Sequence, residues 1–193
     1  MKKEPFNITD ALTLIIKEMI NNTEEFKLFD INKILLCCGT NKSTSRGGIY
    51  GKLVPLKFEN GNDIIKHKGF YYTIPRLTIN NIEIIYIIYL YIPKFLDLPA
   101  KQKIDVMFHE LYHINPEFNG DIRRMGKFKK AHGHSRKSFD EKYREYAEVF
   151  YEKIEDTPFM NFLNMDTHAL KKEFKRICYR RMKVPKPVRI DKN

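Results

Sequence analysis

The segment IEIIYIIYLYI, residues 82–92, constrains the fold more than any other stretch of this chain. At eleven residues it is about half of the roughly 20 that a membrane-spanning helix needs. It is also crowded with β-branched and aromatic types, which pack well on a pleated surface and poorly in a helix. It therefore reads as a buried strand, and the chain must build a sheet around it. Other strand candidates surround it. NKILLCC and IYGKLVPLKF flank the small polar run GTNKSTSRGG, and FYYTIPRLTI is joined to the apolar run at Asn80-Asn81. Turns are expected at Asn60-Gly61-Asn62 and Lys68-Gly69.

Helical spacing appears at the two ends of this region. Leu12, Ile15, Ile16, Met19 and Ile20 recur on one face behind Thr9 or Asp10 as a cap. After Pro99, well placed for a first helical turn, Ile104, Met107, Phe108 and Leu111 follow at i, i+3, i+4 and i+7. Asn115-Pro116 ends that helix. A polar stretch over residues 117–135 reads as a long loop or a broken helix, and loops of that length are often functional. A helix is expected over residues 136–154 and another over 166–182, with a basic tail behind them. With 193 residues, 42% hydrophobic and 13% aromatic, the chain can fill one real core. The expectation is α+β: an antiparallel or mixed sheet that precedes and packs on the helix after Pro99. Residues 1–157 would form that domain and residues 158–193 a helical basic C-terminal extension.

The three cysteines, Cys37, Cys38 and Cys178, form no C-x-x-C, so neither a disulfide framework nor a cysteine zinc ribbon is available. Glu4, Pro5 and Asp10 interrupt what would be the apolar part of an export signal. A reducing, cytoplasmic setting without a membrane fits both observations. The net charge of +11 favours polyanions or acidic surfaces as partners but is also common on solvated, lysine-rich surfaces. The cationic clusters are residues 127–130 and 171–181, the second expected on a helix with Phe174 and Tyr179 interleaved. Tyr86, Tyr89 and Tyr91 read as core residues in preference to a stacking platform for bases.

Residues 109–113, HELYH, place a chemical motif on the helix already inferred from apolar spacing. On a helix His109 and His113 lie one turn apart, so both imidazoles can reach one metal ion with Glu110 beside them. Ile104, Met107, Phe108 and Leu111 fall within one arc and His109, Glu110 and His113 roughly opposite, so one face packs and the other borders a cleft. A catalytic zinc normally takes three protein ligands, which requires one more downstream. His132, followed by Gly133, is the preferred ligand, with His134 as runner-up and Glu141, Glu145 or Glu148 as the carboxylate alternatives. The chemistry this set suits is peptide-bond hydrolysis by a zinc-activated water, with Glu110 as general base. Tyr112, Arg123, Arg124 and Arg136 are the nearby groups that could stabilise an oxyanion. Asp121 either orients a ligand imidazole or pairs with Arg123 or Arg124. His67 and His168 are expected in solvent.

These residues carry a resemblance. YIPKF at 91–95, HELYHI at 109–114, FNGDIRR at 118–124 and HGHS at 132–135 resemble the core of the putative phage metallopeptidase family. That resemblance implies a zincin-like domain, a zinc peptidase acting on protein or peptide, His132 as third ligand, and a phage or prophage gene acting in a bacterial cytoplasm. More distantly, H-E-x-x-H followed by His-Gly is similar to SprT-like zinc proteases. Their zinc ribbon is missing here, so their mode of DNA targeting is not carried over. A second reading from another class is a non-catalytic zinc-containing protein that contacts nucleic acid or a host protein through its basic surface.

Overall fold

A computed structural model of the protein describes residues 4–40, 49–125, 132 and 135–191. The chain opens with a short strand β1 (Pro5–Asn7) and helix α1 (Ile8–Asn21). The cap of α1 is Asn7, two residues before Thr9 and three before Asp10, because its side chain accepts the backbone N–H groups of those two residues. Leu12, Ile15, Ile16 and Met19 are fully buried, as their spacing predicts.

The apolar run becomes two strands, β7 (Ile82–Ile84) and β8 (Tyr86–Tyr91). Strand β7 forms a hairpin with β6 (Leu77–Ile79) through Asn80 and Asn81, both at positive φ, the backbone such a two-residue turn demands. Strand β8 is the centre of a mixed sheet in the order β2-β8-β3, parallel to β2 (Ile34–Gly39) and antiparallel to β3 (Gly51–Pro55). Both of its faces are buried. Tyr86, Ile88 and Leu90 join the main core with the helices, whereas Ile87 and Tyr89 join a smaller cluster roofed by Leu77, Ile79 and Met182. A strand enclosed on two sides must be apolar at every position, which accounts for the unbroken run. The Tyr86 hydroxyl donates to the Asp121 carbonyl at 2.8 Å and that of Tyr89 to the Met182 carbonyl at 3.1 Å, so these two tyrosines are core residues with satisfied polar tips.

Helix α2 (Ala100–Tyr112) lies against this sheet with Ile104, Met107, Phe108 and Leu111 fully buried. The helix expected over residues 136–154 is broken into α3 (Arg136–Asp140) and α4 (Arg144–Ile154). Ser135 caps α3, and the break turns Asp140 and the fully buried Tyr143 towards α2. Then α5 (Pro158–Leu163) and α6 (Thr167–Glu173) follow.

The expected helix to residue 182 stops at Glu173. Phe174 instead stacks on Phe6 with ring centroids 4.4 Å apart, and β9 (Arg176–Cys178) pairs in parallel with β1. Pairing with the opposite end of the chain outweighs the helical pattern of the cationic residues, an instance of tertiary context overriding propensity. The tail ends in β10 (Val188–Ile190), which joins β4 (Ile64–His67) and β5 (Phe70–Thr73) in the order β10-β5-β4. Residues beyond 158 are thus helical only in part. Leu163 and Leu170 are fully buried in the core that holds α1 and α2, and the buried Lys103 amine donates to the carbonyls of Leu163 and Met165 at 2.7 and 2.8 Å. Among the described residues no helix is long and apolar enough to cross a membrane.

Candidate metal centre

The last turn of α2 delivers His109 and Glu110 to one side of the helix, and His113 follows as its first residue beyond. All three are buried and line a cleft of about 560 Å³ whose opposite wall is β3. His132 enters from the segment after residue 125. Its Nε2 and that of His113 each lie 3.1 Å from Nε2 of His109, and the three nitrogens fall within 4.8 Å of one another. The fully buried Phe139 ring packs against all three imidazoles, with centroids 5.2, 4.5 and 5.1 Å from His109, His113 and His132.

The proton on His109 has a defined place. Its Nδ1 is 2.9 Å from Oδ1 of Asp140, and the Tyr143 hydroxyl donates to the same oxygen at 3.0 Å. An Nδ1–H donated to Asp140 leaves Nε2 as a bare lone pair aimed at the other two rings. One lone pair can accept one N–H, so hydrogen bonding satisfies only one of its two close neighbours. A shared cation satisfies all three. Burial lowers the pKa of each imidazole, to about 3 for His113, where the neighbouring imidazoles add to the effect. The rings are therefore neutral at pH 7, the state a metal ligand requires. Three neutral imidazole nitrogens without a carboxylate among them suit a borderline ion such as zinc, whose ligands at about 2.0–2.1 Å lie roughly 3.3 Å from each other. The donor set fits the ion that the motif implies.

Glu110 faces the same cleft across from β3. Its carboxyl is hydrogen-bonded by the Leu53 backbone, and burial nevertheless pushes its pKa up to about 7. Gly51 makes room for it: a Cβ there would lie 2.7 Å from Oε1 of Glu110. Sequence reasoning passed over Gly51, although a glycine inside a strand pattern is a sign of close approach. It also passed over Asp140. Of the alternatives for the third ligand, the structure describes only the carboxylates. Glu141, Glu145 and Glu148 are exposed, with Glu148 facing Lys101, while Gly133 and His134 lie outside the described residues.

Among the described residues Asp121 bonds to no ligand imidazole. Its buried carboxylate accepts the backbone N–H groups of Asn60 and Ile122 and pairs with Arg124 at 3.1 Å, which fixes the loop after α2. Arg124 and Arg123 are thereby explained as well, since Arg123 donates to the Tyr112 carbonyl and to Glu25 at 2.7 Å while stacking on the Tyr112 ring. Of the four groups considered for an oxyanion, only Arg136 lines the cleft, together with Tyr50 and Tyr91, which sequence spacing did not single out. His67 and His168 are exposed, on β4 and α6, and neither belongs to the three-histidine group. Residues 127–130 lie outside the described residues. The 171–181 cluster is not a helical face, because Arg180 donates to the Leu36 carbonyl at 3.0 Å and Phe174 and Ile177 pack on the core.

A mixed sheet packed on a helix that ends in two cleft-facing histidines defines an α+β, zincin-like domain. The chain belongs to the family described as putative phage metallopeptidase, whose model matches residues 5–164. No curated protein and no solved structure is matched by this chain.

Proposed function

We propose that the protein is a zinc-dependent peptidase in which His109, His113 and His132 hold one zinc ion and Glu110 is the general base. The observation that carries this reading is the convergence of three neutral imidazole nitrogens beside a buried carboxyl in a single open cleft. Zinc bound there supplies Lewis acidity for a peptide carbonyl and for a water molecule. Glu110 takes the proton of the attacking water and passes it to the leaving amine. Gly51 and the Leu53 backbone keep that carboxylate in place. Asp140, itself held by Tyr143, fixes the tautomer and plane of His109. Arg136 brings a fixed positive charge to the cleft, where negative charge develops.

A protein or peptide substrate suits the opposite wall. Among the described residues strand β3 pairs with β8 on one side only, and residues 49–53 along its other edge border the cleft. Tyr50 and Leu56 bond towards the β8 side, so the backbone groups of Gly51 and the carbonyl of Leu53 face away from β8 and can receive an extended chain, while the Leu53 N–H holds Glu110. The buried, unpaired Cys37 and Cys38 agree with action in a reducing cytoplasm.

Purified protein is expected to carry about one zinc per chain, and His132→Ala to weaken zinc binding by orders of magnitude in a chelator competition. A chain that arrives metal-free and takes up no added zinc rules the reading out. Asp140→Ala should lower zinc affinity by about 10–100-fold with all three ligands present. Unchanged affinity in that variant would show that Asp140 does not orient His109.

A further inference from the structure

The sheet β10-β5-β4 stands apart from both cores. None of the side chains of Ile64–His67, Phe70–Thr73 or Val188–Ile190 belongs to either buried cluster, and Ile64, Phe70 and Val188 are about half exposed. A sheet with two open faces and exposed large apolar groups is unusual in a monomer unless something lies on it. Its charge is one-sided. Residues 64–73 and 183–190 carry Lys66, Lys68, Lys183, Lys186 and Arg189 and no Asp or Glu. The flanking acids are Asp63, engaged by Lys57 and Arg76, and Asp191 just beyond β10. None of the five cations forms an ion pair with a described carboxylate.

The register then sorts the side chains. Tyr72 is opposite both Ile65 and Arg189, and Phe70 is opposite His67, so His67, Phe70, Tyr72 and Arg189 share one face. On that face the Arg189 guanidinium lies 3.6 Å from the Phe70 ring centre, and the His67 and Tyr72 rings are 6.4 Å apart. Flat aromatic and guanidinium surfaces on an open sheet, rimmed by unpaired lysines, match what unstacked bases and their phosphates require. A duplex offers no free base faces for such rings. An acidic peptide would use the lysines and leave the planar groups idle.

We propose that the β10-β5-β4 sheet is a binding surface for single-stranded nucleic acid, with Phe70, Tyr72 and Arg189 as the stacking platform and Lys68 and Lys186, from the connections at its rim, as phosphate contacts. The surface is separate from the metal cleft, so it stands or falls independently of the peptidase reading. The basic tail contributes as a folded strand and not as a loose appendage.

The test is fluorescence anisotropy on the full chain with labelled oligo(dT) of about 20 nucleotides, a duplex of equal length and poly-glutamate as competitor, between about 50 and 200 mM salt. The wild type is expected to bind the single strand more tightly than the duplex, with affinity falling steeply as salt rises. Phe70→Ala with Tyr72→Ala should weaken binding by at least ten-fold and leave the salt slope unchanged. Lys68→Ala with Lys186→Ala, both at exposed sites with no packing role, should reduce the slope by about 0.7 per cation removed. The lysine pair decides the matter if the aromatic pair does not fold. Equal binding of duplex and single strand, competition by poly-glutamate as effective as by oligo(dT), or a salt slope unmoved by the lysine pair overturns the proposal. So does the absence of single-strand binding at about 0.1 M salt.

Discussion

Glu110→Gln is expected to leave about one zinc per chain and to reduce hydrolysis of an unfolded protein by roughly 10²–10⁴-fold, the usual contribution of a positioned general base. The substitution is nearly isosteric. Its amide oxygen can still accept from the Leu53 backbone, and the pocket above Gly51 needs no change to hold it. What disappears is the capacity to accept a proton. A loss of turnover at constant zinc content and constant melting temperature therefore isolates the chemical step. Metal analysis beside the cleavage assay reads both quantities in one preparation. If the variant cleaves as well as the wild type, Glu110 is not the base. If the wild type itself binds zinc and cleaves nothing, the zinc serves a binding protein, the alternative that the motif alone leaves open.

The parts of this site that were legible in the sequence are those encoded at short range. His109, Glu110 and His113 share a helix whose existence follows separately from Ile104, Met107, Phe108 and Leu111, so the motif and the apolar stripe support each other. His132 was reachable because a third ligand is a chemical requirement and few histidines lie downstream. Asp140 and Gly51 were not reachable in the same way. Asp140 meets His109 across 31 residues, and the neighbouring acids Glu141 and Glu145 have the same composition but point to solvent. Only the break between α3 and α4 distinguishes them. Gly51 matters because of what a side chain would strike, and that depends on how closely α2 approaches β3.

The fold shows the same division. The run at residues 82–92 announced a buried strand, since a position between two apolar layers tolerates little else. It did not announce that Ile82–Ile84 would leave the sheet for a hairpin with β6, which turns on the left-handed backbone at Asn80 and Asn81. At the C-terminus the spacing of Lys and Arg suggested a helix to residue 182. The partner that ends it at Glu173 is β1, at the other end of the chain. No local pattern carries that information.

Deleting residues 171–193 is accordingly expected to unfold the protein, and not to remove a dispensable basic tail. The deletion takes away β9 and with it the pairing of Ile177 and Cys178 to Phe6 and Asn7. It removes the Arg180 carbonyl that accepts from Cys38 N–H at 2.9 Å, the Arg180 guanidinium on the Leu36 carbonyl, and the Met182 carbonyl that receives the Tyr89 hydroxyl. The groups left behind on β2 and β8 are buried, so each loses a partner where water does not readily replace it, at about 1–3 kcal/mol apiece. Phe174 and Ile177 withdraw further apolar surface, worth about 1.5–3 kcal/mol for each side chain where burial is complete. Even discounted for partial exposure, the sum approaches the 5–15 kcal/mol that holds a typical domain together. Sequence likeness to the family ends at residue 164, yet the packing of this chain continues past it. Thermal unfolding followed by circular dichroism should show no cooperative transition for residues 1–170, with zinc retention and cleavage lost together although every proposed ligand is present. A truncated chain that melts cooperatively within a few degrees of the full one, and still holds zinc, would establish that β9 and β10 are accessories to the fold.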